Sequence, residues 1–289
     1  MSYAIRTLSL DDKNMAKAVV ALTTTAFAAS INVEQLLNLV QMPEAGVEPL
    51  YLGAFHQGSI VGFLACTPHR FSYDGALTLL YQPAWAATDP NWRGKGIFRS
   101  LISEASEILA AQGAGGMFAS PNPRSGPVFT GPLGFEDGGY LPVGTVMGSK
   151  GLKAHKATER PQGSLQPYEA DLLHWQQRRL GKGVIDIIED EDGNRLWGRT
   201  KRMKKWGAIV PYWLVGGLEG DRSKLDSLLR QANHIPTLKL FFFTPKSEIG
   251  SRFQFVKKSN SNYLVWKSYN NGLPTMPQFD CMMGVFDHF

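Results

Sequence analysis

The chain has 289 residues, of which 43% are hydrophobic and 19% charged, and a formal net charge of +5. That length is enough for two modest domains or one large one, the composition is that of an ordinary globular protein, and no window is apolar for long enough to span a bilayer. A small positive excess favours anionic partners without by itself indicating nucleic acid, and nucleotide-linked small molecules suit it as well. The opening residues MSYAIRTLSLDDK lack the basic-then-apolar layout of an export signal, and only Cys66 and Cys281 occur, so a reducing cytoplasm is expected.

In chain order, residues 10–39 read as helices. DDKNMAKAVVALTTTAF has apolar residues at helical spacing, and SINVEQLLNLVQM opens with Ser30 as a cap followed by Glu34. PLYLGAFHQGSIVGFLACTPHRFSY is two β runs around HQGS, and a third, ALTLLYQPAWAAT, follows a DG turn, giving an antiparallel meander. GIFRSLISEASEILAAQG places Ile97, Leu101, Ala105 and Ile108 on one helical stripe and stops at Gly113. GGMFAS is a short buried strand, SGPVFTGPLGF an interrupted helical turn, and GYLPVGTVMG another strand.

Between about Lys150 and Leu165 the composition turns to Lys, Ala, Gly, Pro and Gln, which reads as a linker and divides the chain into residues 1–150 and 151–289. The second part repeats the coarse order of the first. A helix at EADLLHWQQRRL precedes strands GVIDIIEDEDG, RLWGRTKRMKKW and AIVPYWLVGG; a helix at DRSKLDSLLRQANH then leads to TLKLFFFTP and a late strand NYLVWKSYN. The expected fold class is α+β (mixed α/β), with a mainly antiparallel central sheet flanked by helices and a second, degenerate copy after it.

The chemistry concentrates in TDPNWRGKGIFRSL. Two glycines let the backbone N–H groups of a turn converge, the following helix adds its own unpaired N–H groups and positive dipole end, and Arg93 and Lys95 add charge; such a nest suits a diphosphate. It is not a Walker loop, because GxxxxGK followed by Ser or Thr is absent, and the glycine spacing is not that of a dinucleotide fingerprint. The segment DPNWRGKGIFRSLISEA resembles the CoA-binding segment of the Gcn5-related N-acetyltransferases (GNAT), with Arg93 and Gly96 on the pattern and Phe98 where a small residue is usual. FASPNPRSGPVFTGPLGF resembles the family's second segment of strand, Asn, short helix and Leu-Gly-Phe. The resemblance covers residues 3–147.

It implies acetyl-CoA or another acyl-CoA as co-substrate. Trp92, Arg93, Gly94, Lys95, Gly96, Ile97 and Phe98 would hold the pyrophosphate, Ala86 and Thr88 the pantetheine arm, and Asn122 and Ser125 would lie beside the thioester. Acyl transfer needs a neutral amine, donors for the developing oxyanion and an acid for the thiolate. Phe129 stands near the position where the family often has a Tyr. For the base, His69, Asp74, Tyr81 and Asp89 are candidates; His69 reads as a strand-end residue facing the acceptor side and is preferred, whereas Asp89 reads as a cap before the phosphate turn. Scattered histidines and cysteines without ligand spacing give no expected metal site.

The run Arg199 to Trp206, with Trp197, Tyr212 and Trp213 nearby, reads either as a holder for a nucleotide's phosphates or as one solvated face of an amphipathic hairpin. RGKGIF with PN..S.P.F...LGF, a second domain of similar order, LLHWQQRRL and FDCMMGVFDHF resemble two-domain acyltransferases of nucleotide-linked amino sugars. The second half has GGLEGDRSKL, acidic where phosphate would sit, and is expected to govern the acceptor instead of binding CoA. The alternatives are acetylation of protein lysine, an aminoglycoside or a polyamine, and a catalytically idle acyl-CoA or nucleic-acid binder. No membrane partner, no nucleic acid, and a monomer or homodimer are expected.

Overall fold

The computed structural model describes residues 2–28, 30–147, 152, 163–205, 207–232, 235–236, 238–244, 248–269, 272–274 and 277–282. In chain order the elements are β1 (Ala4–Thr7), α1 (Lys13–Phe27), α2 (Val33–Val40), β2 (Leu50–His56), β3 (Ser59–Tyr73), β4 (Ala76–Thr88), α3 (Ile97–Ala111), β5 (Gly116–Ala119), α4 (Gly126–Thr130), β6 (Glu136–Met147) and β7 (Ser164–Pro167). There follow α5 (Glu169–Leu180), β8 (Asp186–Glu189), β9 (Arg195–Lys205), β10 (Ala208–Glu219), α6 (Leu225–Gln231), β11 (Leu238–Phe242), β12 (Val256–Ser268) and β13 (Gln278–Phe279). This is the α+β class expected. Among the described residues no helix is long and apolar enough to cross a membrane.

The chain forms two compact units, and no single cut separates them. The first comprises residues 1–70, 78–137 and 265–276, the second 71–77, 138–264 and 277–289. Of the 150–165 stretch read as a linker, most lies outside the described residues, and its end is strand β7.

In the first unit the strand order is β1-β2-β3-β4-β5, with the end of β12 on the far side of β5. β1 and β2, and β2 and β3, are antiparallel, whereas β4 and β5 are parallel. The partner on the other flank of β5 is supplied from far downstream, Val265 to Ser268 pairing antiparallel with Ala119 to Gly116. Helices α1 and α2 bury Ala16, Val19, Leu22, Leu36 and Val40 with Tyr51, Phe63 and Ala65 of the sheet. Asp12 caps α1 by accepting from the N–H groups of Asn14 and Met15. The cap of α2 is Asn32 and not Ser30: Asn32 and Gln35 stand at the spacing of a capping box, and each side chain bonds the other's backbone N–H. Helix α3 buries Ile97, Leu101, Ile102, Ala105 and Leu109, with Ile108 at the margin of the stripe. Its first turn lies close on β3 because position 62 is glycine; a Cβ there would collide with Ile97.

In the second unit β8, β9 and β10 are successive antiparallel neighbours, α6 follows, and β11 returns parallel to β10. That repeats the first unit's three strands, helix and parallel strand, β2 to β5. The core includes Trp213, Val215, Leu225, Leu228, Phe241, Phe243 and Phe253. The turn before α6 is closed by its own acid: Asp221 accepts from the Ser223 N–H and its backbone N–H bonds Asn194 Oδ1.

Candidate active site

Asp89 follows β4 and caps the one-turn helix Pro90–Trp92, its Oδ1 2.8 Å from the Asn91 N–H, as expected of it. The chain then passes through Gly94 (φ 75°) and Gly96 (φ 78°), a left-handed geometry that strains any residue with a Cβ. Gly96 is the N-cap of α3, no side chain caps it, and the helical ladder starts only with the Ser100 N–H to Gly96 carbonyl bond of 3.0 Å. The first-turn N–H groups, at the positive dipole end, therefore take no side-chain cap. A Cβ placed on either glycine would meet nothing within 4 Å, so the concavity is open. The turn fits a diphosphate.

The charged side chains divide. Lys95 holds its ammonium 4.2 Å over the Trp92 ring, at the turn. Arg93 instead donates to the Ala26 carbonyl at 2.8 Å, bracing the end of α1. Ile97 is buried beneath the first turn. Phe98 leaves the turn and packs edge-on to Phe129 at 5.7 Å, which accommodates a large residue where a small one is usual; Phe129 in turn packs on Phe135 at 4.9 Å.

Beside the turn, β4 and β5 pair only at Leu80 with Gly116 and Tyr81 with Met117, then part, while β4 runs on to Thr88. Beyond Tyr81 the flank of β4 that faced β5 has no partner strand among the described residues, and Ala86 and Thr88 lie on this stretch. An unpaired strand edge accepts an extended chain of amide groups, which is what a pantetheine arm offers. Tyr81 shares a sheet face with Met117, which takes a hydrogen bond from Ser106 of α3, yet Trp85 and Ala87 pack toward α1 and α2. Strict alternation would put all of these β4 residues on one face, so the strand turns over between 81 and 85, where it leaves β5.

Gln82, missed in the sequence, sits at this parting. It is 3% exposed and its Oε1 has no hydrogen-bond partner among the described residues. A Gln-Pro pair inside an apolar strand was the available signal, since proline within a strand marks an irregularity. Lys267 was also missed; it donates to the Leu133 carbonyl at 2.9 Å, and burial pulls its ammonium below the usual range.

The expected catalytic groups are distributed differently. His69 is 0% exposed, with its ring edge-on to Phe118 at 5.4 Å, because β3 continues past it to Tyr73 and gives it no strand-end exposure. Asn122 is turned to its own backbone: its Oδ1 accepts from the N–H groups of Arg124 (2.9 Å) and Ser125 (3.0 Å), starting α4. The Ser125 hydroxyl is 3.4 Å from the Asn122 carbonyl. Asp74 accepts from the Gly163 N–H within the second unit. Burial first, and then Cys66, push the Tyr81 phenol up, so at neutral pH it is a proton donor and no base.

A family model described as an acetyltransferase (GNAT) domain matches residues 5–137. No curated protein matches the sequence. Among solved structures, a probable N-acyltransferase of Enterococcus faecalis V583 is similar at 13% identity and TM-score 0.64, covering 94% of this chain and 74% of that one. A GCN5-related N-acetyltransferase of Anabaena variabilis follows at 13% identity and TM-score 0.60 (93% and 73% covered), and Eis1 of Mycobacterium abscessus at 13% and 0.58 (91% and 73%). Those likenesses speak for the fold. With the glycine turn and the parted strands, the matching family model identifies residues 5–137 as an acetyltransferase (GNAT) domain.

Proposed function

We propose that the protein transfers an acetyl or short acyl group from acyl-CoA to the primary amine of an amino sugar carried on a nucleotide. The observation that carries acyl-CoA use is the parting of β4 from β5 beside the open Arg93 to Gly96 turn. Backbone N–H groups of residues 94–99, with Lys95, hold the diphosphate, and the flank of β4 at Ala86 and Thr88 holds the pantetheine amides. The bound donor supplies the thioester. The acceptor nitrogen bonds the carbonyl carbon, the carbon–sulfur bond breaks, the nitrogen loses a proton and the thiolate gains one.

Phe129 can give no proton. Tyr81, a phenol kept protonated by burial at the point where the strands part, is the group we assign to the thiolate. Asn122 and Ser125 act as positioning residues by starting α4. His69 stays the candidate base, and since its ring is enclosed, the competing route is entry of an acceptor already deprotonated in solution. His69→Gln separates the two: loss of the acidic limb of the kcat/KM profile, with acetyl-CoA affinity kept, supports the base, and an unchanged profile removes it.

The net charge of +5 and the resemblance of the two-domain layout favour a phosphate-bearing acceptor over a polyamine. In this reading residues 1–150 carry most of the donor site and residues 151–289 govern the acceptor, in a cytoplasmic setting. Thiol release from acetyl-CoA, followed across nucleotide-linked amino sugars, aminoglycosides, polyamines and lysine peptides, tests it. Turnover confined to lysine peptides or polyamines would overturn the acceptor assignment, and no thiol release with any amine would overturn the transfer itself.

A further inference from the structure

Gln82 stands in an otherwise apolar stretch of β4, 3% exposed, with an Oε1 that is shut off from solvent and has no hydrogen-bond partner among the described residues. A buried acceptor in that state destabilises the fold, so its presence calls for a donor that arrives from outside the chain.

The strands around it fix its place. Tyr81 and Met117 are the last residues at which β4 and β5 pair, and Gln82 is the next residue along β4, at the closed end of the gap between the strands. Tyr81 and Met117 share the sheet face on the side of α3, where Met117 takes the Ser106 bond. Alternation sends Gln82 to the opposite side of the sheet. Phe118, which follows Met117 on β5, is on that side too, with the His69 ring edge-on to it at 5.4 Å.

On the acyl-transfer reading the diphosphate lies at the glycine turn beyond Thr88, and the pantetheine amides lie in the plane of the sheet along the flank of β4. The thioester, at the other end of that arm, therefore comes to the closed end of the gap, beside Gln82. A side chain that stands perpendicular to the sheet meets what approaches the thioester from its own face, and not the amides within the plane. What approaches is the acceptor amine, whose N–H groups are donors, and a carboxamide oxygen accepts one of them. Being neutral, it does so without holding the nitrogen as an ammonium, as a carboxylate would, and the lone pair stays available for the carbonyl carbon.

We propose that the Gln82 carboxamide oxygen binds the acceptor amine beside the thioester and orients its nitrogen for attack. This assignment rests on the acyl-transfer reading and adds to it the residue that receives the amine.

Gln82→Met keeps the length of the side chain and removes the oxygen. In the free full-length protein the melting temperature of the variant should rise by about 2 °C or more, because an orphaned acceptor gives way to an apolar group. Thiol release is then followed with uridine diphosphate glucosamine, kanamycin, spermidine and a lysine peptide. For each amine that the parent uses, kcat/KM should fall about tenfold, the loss of one hydrogen bond, while calorimetry gives an acetyl-CoA affinity within about twofold of the parent. Gln82→Leu takes the same measurements if the methionine variant does not fold. A melting temperature that falls would show the amide bonded within the fold, a weakened acetyl-CoA affinity would show the oxygen serving the pantetheine arm, and an unchanged kcat/KM would show that the amine does not use it. Each of these overturns the proposal. Failure of the acyl-transfer reading is a separate result, in which the parent itself releases no thiol with any of the four amines, and the proposal falls with it.

Discussion

Gly96→Ala places a methyl group in the concavity that should receive the diphosphate. At φ 78° an alanine carries about 1 kcal/mol of backbone strain, and nothing lies within 4 Å of the new Cβ to add a clash. The melting temperature should therefore fall by only about 2–4 °C. Donor binding should suffer far more. The methyl blocks approach to the first-turn N–H groups, and loss of two hydrogen bonds to a charged oxygen, at roughly 1.5–3 kcal/mol each, amounts to a weakening of about 100-fold or more. Calorimetry with acetyl-CoA reads this directly. The control is S-acetylpantetheine, which keeps the thioester and the amide arm but has no diphosphate; its KM should be the same in the variant and the parent. Equal losses with both donors would refute the assignment of the turn to the diphosphate.

Trp266→Ala removes a fully buried ring beside β5 and should cost about 3–5 kcal/mol in a denaturant titration; for the same reason a chain cut after residue 150 lacks the strand that flanks Gly116 to Ala119 and should not fold as an active domain. Tyr81→Phe should lower kcat by about 100-fold while leaving acetyl-CoA affinity within twofold, and an unchanged kcat would show that the thiolate takes its proton elsewhere. Lys201→Met tests the half-burial of that ammonium through stability. The folded-state pKa of Lys201 lies near 8 against an ordinary 10.5, so between those values the unfolded chain holds more protons and stability rises with pH. Below pH 8 the whole penalty is present, and the variant should be more stable there by about 1 kcal/mol, the full linkage value being discounted for partial exposure; above pH 10.5 the difference should vanish.

The first unit's helices, meander and glycine turn were legible because each is written in local spacing: a 3.6-residue stripe in α3, alternation in the strands, Asp-Gly at a hairpin, two glycines before a helix. Where partners are distant, the sequence could not show them. Val265 to Ser268 reads as a late strand, but nothing in its composition says that it flanks β5. Arg93 reads as a phosphate ligand because its neighbours are glycines, and the carbonyl that takes its guanidinium is 67 residues away. Ser30 and Asn32 both cap well by type, and the choice turns on spacing, since only Asn32 has a Gln three residues on. His69 was misjudged by strand length: four more residues of β3 enclose it. The basic run at Arg199 was half read: Thr200, Arg202 and Lys204 are exposed, while the alternating Arg199 and Lys201 are half-buried on the face of Trp197.

The claim on which the rest depends is that the flank of β4 beyond Tyr81, together with the turn after it, is where acyl-CoA lies. Amide hydrogen exchange of the full-length protein, with and without saturating acetyl-CoA, measures this residue by residue. Slower exchange concentrated in residues 82–88 and 94–99 is the expected result. Exchange unchanged in both segments, or slowed only in other parts of the chain, would contradict it.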